Sequence, residues 1–295
     1  MGAGAVGCYY GGMLQRAGHD VVLIARPQHV EAIEQNGLRM QTQTFDEHVP
    51  IRASTDPSAL EGAELVLFSV KSNDTEATGA QIRPHLAPGA LVITLQNSVG
   101  NAERLRGVIG NEVSSAVVYV ACEMGGPGHV KHQGRGELVI EPTSRASNAA
   151  QVLRAAGVPT ELSDNVHGAL WAKLIINCAY NAFSAIGQIP YGQLVQVEGV
   201  SSVIRDLVDE CQAVARAEGV VIPGNIDEAI RRIAETMATQ YSSTAQDLAR
   251  GKPSEVDHLN GLIVRLAEEH GIPAPVNRTM HTLVKVIEAG SLARK

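Results

Sequence analysis

The sequence predicts an α/β domain over residues 1–164 followed by an all-α domain over residues 165–295. Three observations carry that expectation. Short β-branched runs alternate with Ala-rich helical stretches up to Ser163–Asp164. A GxGxxG pattern formed by Gly2, Gly4 and Gly7 opens the first helical stretch. After Asp164 no convincing strand follows, and apolar residues recur at helical spacing instead. A length of 295 residues suits two domains better than one.

Taken in chain order, the first helix spans Ala5–Ala17 and leads into a strand at Val21–Ala25. A second helix covers Val30–Asn36, and further strands fall at Leu65–Lys71, Leu91–Gln96 and Val113–Ala121. Their near-continuous apolar character predicts a parallel sheet covered on both faces, with helices as crossovers. The segment Gly125–Glu141 reads as a glycine-rich turn region with a short antiparallel addition. Ser163–Asp164 is a plausible N-cap pair for the next helix, across residues 169–186. Val200, Val203, Ile204, Leu207, Val208 and Cys211 form one helical stripe, stopped by Gly219 and Pro223. Two more helices are expected, across Val256, Leu259, Ile263 and Leu266, and across Thr279–Ile287.

Composition narrows the function classes. Hydrophobic residues make up 44% and charged residues 19%, which excludes a disordered chain. The net charge of −7, with no basic face, argues against nucleic-acid binding. No apolar run is long enough for a transmembrane helix, and the start lacks the basic region of a signal peptide. The four cysteines lie far apart with no CxxC pair, which fits reduced thiols in a cytoplasmic protein. His129 and His132 sit in a glycine-rich stretch with no third ligand nearby, so no metal site is expected.

The chemistry-bearing residues fall into two groups. Gly2, Ala3, Gly4, Ala5, Val6 and Gly7 form a loop at a helix N-terminus, where free N–H groups and the dipole favour a pyrophosphate. This makes the first domain a Rossmann-type dinucleotide-binding domain. Arg26 follows the strand Val21–Ala25, where an acid would bind an NAD ribose and an arginine suits a 2′-phosphate, so NADP (NADPH) is expected. Lys71 and Asn97 stand at two further strand ends and belong to the same crevice. In the second domain, Lys173, Asn177 and Asn181 interrupt an apolar helix at i, i+4 and i+8, on one face. Burying such a stripe is costly without a function or partners. Ser242 and Ser243 are candidate helix caps, with Gln246 completing a capping box on Ser243. Glu255 and Asp257 fall in the first turn of the next helix, where acids favour the dipole.

The motifs GAGAVGCYYGG, LIAR, VKS, LQNSVG, LWAKLIINCAYNAFSAI and SSTAQDLARGKPSEVDHLNG together resemble the ketopantoate reductase (2-dehydropantoate 2-reductase) family. That family lies within the wider 6-phosphogluconate dehydrogenase-like superfamily, and the resemblance covers essentially the whole chain. It implies NADPH-dependent reduction of the 2-keto acid 2-dehydropantoate (ketopantoate) to pantoate in pantothenate and coenzyme A biosynthesis, with Lys173 as general acid and Glu255 as the acid that binds the substrate hydroxyl and supports catalysis. It also implies that Asn97, Asn177, Asn181 and Ser243 contact substrate. It further implies that Lys71 and Asn97 lie near the nicotinamide and ribose, Arg26 at the 2′-phosphate, and Glu255 at the border of the cofactor. The partners expected are a small-molecule 2-keto acid and, at most, a second copy of the chain, with no membrane.

Two departures stand out. Ser98 occupies a place where the family usually has glycine, and the family has a strand ahead of the first glycine whereas this sequence opens at Met1, which suggests a start further upstream. Two alternatives remain: reduction of another branched 2-keto acid, or NADPH binding without turnover.

Overall fold

The computed structural model describes residues 1–292. Two compact units divide at residues 166 and 167. The first alternates helices and strands in this order: α1 (Ala5–Arg16), β1 (Val22–Ile24), α2 (Pro27–Asn36), β2 (Leu38–Gln41), β3 (Asp46–Val49) and β4 (Arg52–Ser54). It continues with β5 (Leu65–Phe68), α3 (Thr75–Ile82), β6 (Leu91–Thr94), α4 (Asn101–Arg106), β7 (Val113–Gly126), β8 (His129–Ile140), α5 (Ala146–Ala155) and β9 (Thr160–Leu162).

The expected parallel arrangement is found for β5, β6 and β7, which pair side by side, and for β1 with β4. β8 also pairs parallel with β2 and β9, but the sheet is mixed rather than all parallel, because β7 and β8 form a long antiparallel hairpin and β2 pairs antiparallel with β3. The antiparallel addition expected after Gly125 is therefore long. Its turn uses Gly128 at φ 63°, a left-handed conformation that glycine adopts without steric cost. Register shifts at Tyr119/Val120, Ala121/Cys122 and Met124/Gly126 bend β7. Its buried start pairs with β6, and β8 continues the sheet to β2 and β9.

Both faces of the sheet are covered, and alternation along β6 shows how. Leu91 and Ile93 join a core with Tyr10, Met40 and Leu138, whereas Val92 joins another with Phe68, Ile82 and Leu105.

The strand absent ahead of the first glycine leaves a gap in the sheet, and how the chain bridges it was not legible in the sequence. Among the described residues β1 pairs with β4 alone and β5 with β6 alone, so each leaves one edge unpaired. Met1, Gly2 and Ala3 bridge those two edges. The Met1 amine donates to Leu67 O (2.8 Å), Ser69 N donates to Met1 O (2.9 Å), and Gly2 N and Ala3 N donate to Ile24 O (3.1 and 2.9 Å). The gap is thus one strand wide at this end. Behind it lies a cavity of about 610 Å³, lined by Leu23, Ile24, Leu65, Leu67, Gly11 and Leu14 among others. Met1 as a residue is half-buried, but its amine is enclosed, and desolvation lowers its pKa from 8.0 to about 5.

The second unit is helical: α6 (Val166–Gly187), α7 (Tyr191–Leu194), α8 (Val200–Ala217), α9 (Ile226–Thr236), α10 (Ser243–Ala249), a 3₁₀ turn (Val256–His258), α11 (Asn260–Glu269) and α12 (Pro275–Leu292). The stripe expected on α8 is the buried one, with Ile204, Leu207, Val208 and Cys211 in the core and Val203 half-buried. Gly219 ends that helix at φ 70°, and Val220 N closes back on Ala215 O at 2.9 Å. Glu210 of α8 accepts from Val276 N and Asn277 N (2.8 and 2.9 Å), an acid at the N-terminus of α12. The helix expected across Val256–Leu266 is instead interrupted at Leu259 (φ −112°, ψ −105°). The break places Asn260 in the interior, where its Nδ2 donates to Cys178 O (3.4 Å) and Asn277 Oδ1 (3.1 Å).

The slot makes a prediction about stability. An enclosed amine that folds neutral but unfolds charged costs about 1.4 kcal/mol per pH unit as pH falls from about 8 to about 5. An extension of five β-branched residues ahead of Met1 converts that amine to an amide and supplies side chains to the cavity. It should raise the thermal midpoint by about 2–4 °C per kcal/mol gained and remove this pH component. A Gly/Ser extension of equal length should remove only the pH component. Equal midpoints for the two extensions would show that the slot does not take a strand.

Candidate functional site

In the first unit the candidate residues gather at the carboxyl ends of parallel strands. Gly4 is the N-cap of α1, and Cys8 N→Gly4 O (2.8 Å) closes the first helical turn, so the first-turn amides have no partner within the helix. No side chain caps this end and no acid lies in its first turn. A Cβ at Gly2 would meet Val70 Cγ1 and the Val70 backbone N at 2.7 Å, and one at Gly7 would meet Gly2 O and Ser69 Oγ at 2.6 Å. A Cβ at Gly4 would meet nothing within 4 Å. Two glycines therefore let the loop fold onto the sheet and onto itself, while the third faces open space beside the helix N-terminus. Ala3 is buried, and Ala5 and Val6 are half-buried. This is a cradle that fits a dinucleotide pyrophosphate.

The other three strand-end residues flank the same edge. Arg26, exposed, follows β1 as the N-cap of α2, with no acid beside it in the sequence. Lys71 follows β5 and precedes a short 3₁₀ turn, Ser72–Asp74. Asn97 follows β6, and its carbonyl accepts from Asn101 Nδ2 at 2.7 Å. Ser98 adopts φ 78°, which explains why glycine suits that position and shows that the loop keeps the left-handed turn with serine.

Sequence reasoning missed the polar lattice behind these loops. Ser69 Oγ donates to Met1 O (3.2 Å) and Gly2 O (3.0 Å), tying the glycine loop to the end of β5. Gln96 Nε2 donates to Thr75 Oγ1 (2.8 Å) and Val70 O (3.2 Å), while its Oε1 is buried without a hydrogen-bond partner. Such an acceptor at the strand ends is the kind of group a bound ligand satisfies. Only the clustering of Ser, Thr, Asn and Gln around strand ends hinted at this.

In the second unit Lys173, Asn177 and Asn181 lie along one face of α6, with Asn181 buried and the other two half-buried. Asn181 Oδ1 accepts from Tyr191 Oη at 3.3 Å. Ser242 Oγ donates to Asn181 O (3.1 Å) and accepts from Ala245 N (3.0 Å), and Ser242 N donates to Ser184 Oγ (3.2 Å). This corrects the expected capping box: Ser242 is the cap of α10, and Gln246 donates to Tyr241 O instead. The hydroxyl of Ser243 is thereby released from capping, on an exposed first helical residue.

Glu255 is the residue at the start of the 3₁₀ turn, yet its side chain makes no capping hydrogen bond there. Ser254 Oγ takes that task, accepting from Val256 N at 3.2 Å. Asp257 is likewise no cap. Burial would raise its pKa, but hydrogen bonds from Lys285 and His281 outweigh that and hold it below its ordinary value. Helix-end chemistry therefore does not account for Glu255. Among the described residues no group of His, Cys, Asp and Glu could hold a metal. No described helix is long and apolar enough to cross a membrane.

Comparison with known proteins agrees across the chain. Residues 1–145 match the family described as "Ketopantoate reductase PanE/ApbA", and residues 165–288 its C-terminal part. A 2-dehydropantoate 2-reductase from Archaeoglobus fulgidus is 34% identical, covering 98% of this chain and 97% of its own. The crystal structure of a PanE/ApbA family ketopantoate reductase from Ralstonia eutropha JMP134 is 66% identical with a TM-score of 0.97, covering 99% of this chain and 98% of its own. D-mandelate dehydrogenase, solved with NADH and anilino(oxo)acetate, shares the fold with a TM-score of 0.91 at 24% identity, covering 99% and 98% of the two chains. With both parts of the family matched in order and two units that carry the glycine cradle and the lysine helix, this chain belongs to the ketopantoate reductase PanE/ApbA family.

Proposed function

We propose that this chain is an NADPH-dependent 2-dehydropantoate 2-reductase, which reduces the C2 ketone of ketopantoate to pantoate on the route to pantothenate and coenzyme A. The observation that carries the reading is the pairing of an uncapped, acid-free glycine cradle with a helix whose lysine and two asparagines share one face. Relatives named for this activity match the chain from end to end.

Bound NADPH supplies the hydride that reduces C2. Gly2–Gly7 would hold its pyrophosphate, Arg26 the 2′-phosphate, and Lys71 and Asn97 the ribose and nicotinamide side. The Lys173 ammonium donates to the ketone oxygen, offsets the charge that develops there and delivers the proton. Asn177, Asn181, Ser243 and Asn97 orient the keto acid without adding charge. The Glu255 carboxylate accepts a hydrogen bond from the 4-hydroxyl of the substrate and borders the cofactor. The same reading makes the protein cytoplasmic, in keeping with its free thiols. It also allows a homodimer, which sedimentation would identify.

Replacing Lys173 with Ala should lower kcat at least about 100-fold while the NADPH dissociation constant stays near that of the parent. Wild-type turnover in that variant would remove Lys173 from the chemistry and favour the non-catalytic alternative. Arg26→Asp should weaken NADPH far more than NADH in a fluorescence titration. Equal weakening would mean that Arg26 does not read the 2′-phosphate. Glu255→Ala should lose activity with ketopantoate and much less with a branched 2-keto acid lacking the hydroxyl, because that substrate never makes the contact. Equal loss on both substrates would favour the reading in which another 2-keto acid is reduced.

A further inference from the structure

Glu255 sits on a short turn that needs outside support, since a 3₁₀ segment of three residues has little stability of its own. That support comes from one face of α12. His281, Lys285 and Glu288 stand at i, i+4 and i+7, so all three project from the same side of the helix. They grip the residues on either side of Glu255. Glu288 Oε1 accepts from Ser254 N (2.8 Å) and Ser254 Oγ (2.6 Å). Lys285 Nζ donates to Asp257 Oδ2 (2.8 Å), and His281 Nε2 lies 2.7 Å from Asp257 Oδ1. Lys285 also pairs with Glu288 Oε2 at 3.1 Å, which links the two grips. Arg265 of α11 adds a bond to the Asp257 carbonyl at 2.9 Å.

We propose that this face of α12, with Glu288 as its anchor, is a positioning device that sets where the Glu255 carboxylate meets the substrate. The inference rests on the reading of Glu255 as the partner of the substrate hydroxyl. Burial supports it. Glu288 is 9% exposed and Ser254 3%, and a buried carboxylate is retained only where it is paired and hydrogen-bonded, as here. The double acceptance from Ser254 also fixes the backbone immediately before Glu255, and the Ser254 hydroxyl fixes the amide immediately after it. Both torsional neighbours of Glu255 are thereby held by one chain of bonds, from Glu288 through Ser254 to Val256 N. Asp257 does the same two residues on, where the bond to Asp257 raises the pKa of Lys285 and keeps the pair charged. An error of about 1 Å in such a contact costs as much as 100-fold in rate.

The test compares Glu288→Ala, Glu288→Gln and Ser254→Ala, each alone and with Glu255→Ala, using ketopantoate and NADPH. Glu288→Ala and Ser254→Ala should raise KM for ketopantoate about tenfold or more while the NADPH dissociation constant is unchanged. Glu288→Gln keeps an acceptor oxygen for Ser254 and should recover most of the loss. Added to Glu255→Ala, either alanine change should cost little more in kcat/KM, because the group being positioned is gone. Should Glu288→Ala fail to fold, Ser254→Ala and Glu288→Gln carry the comparison. Unchanged KM in the single variants, or additive losses in the double ones, would overturn the positioning role while leaving Glu255 in place. Unchanged ketopantoate kinetics in Glu255→Ala would instead remove the reading of Glu255, and the positioning role with it.

Discussion

The first unit depends on three residues of backbone. Met1, Gly2 and Ala3 hydrogen-bond to Leu67 and Ser69 on one side and to Ile24 on the other, and no other strand joins β1 to β5 among the described residues. Those few bonds aim α1 and hold the glycine loop at the strand ends. They also explain the demand for glycine at positions 2 and 7. Chain and strand end approach so closely that a Cβ at Gly2 would lie 2.7 Å from the Val70 backbone. The Ser69 hydroxyl fills the remaining gap by donating to the carbonyls of Met1 and Gly2. Loop conformation and sheet closure are thus one problem solved once.

The second unit solves a different problem, how to keep polar residues in an aliphatic helical core. Asn181, Ser184 and Ser242 bond to one another and to the backbone of neighbouring segments, and Asn260 Nδ2 links α11 to α6 and to Asn277 of α12, while Asn260 Oδ1 stays buried without a hydrogen-bond partner. Each buried group left unpaired would cost about 1–3 kcal/mol, so these networks specify one packing rather than many. Their effect is positional. They tie α6, which carries Lys173, to the start of α10 and to α11.

Elements with strong periodicity were legible in the sequence. The stripe on α8, the apolar strands β5, β6 and the first half of β7, and the glycine loop before α1 all emerged at nearly their observed bounds. What escaped was decided by tertiary contacts. The strands β2, β3 and β4 are three or four residues long and mostly exposed at β3, so no apolar run marks them. The antiparallel addition after Gly125 was expected, but its length and the register shifts along β7 depend on pairing that a composition cannot show. The break at Leu259 follows from the inward pull on Asn260, and the transfer of capping from Glu255 to Ser254 depends on Glu288, more than thirty positions away. Residue identities thus pointed to the candidate site, while its supports were set by contacts distant in sequence.

Electrostatics joins these strands of argument. A chain of net charge −7 is an unpromising binder of a cofactor that carries several phosphates. Net charge acts over distances that salt screens within about 8 Å at physiological ionic strength, so the groups in the first few ångströms decide. There the balance is reversed. The first turn of α1 contains no acid, its N-cap makes no side-chain bond, and Arg26 and Lys71 stand at neighbouring strand ends. Meanwhile several acids elsewhere are engaged in pairs, as Asp46 with Arg39, Glu76 with Arg104 and Glu141 with Arg106. Paired acids project little field, whereas an uncapped helix end projects its dipole directly into the cradle. The net negative charge and the anion-binding loop are therefore compatible, because no acid lies in the first turn of α1 and its helix end is left uncapped where a phosphate would sit.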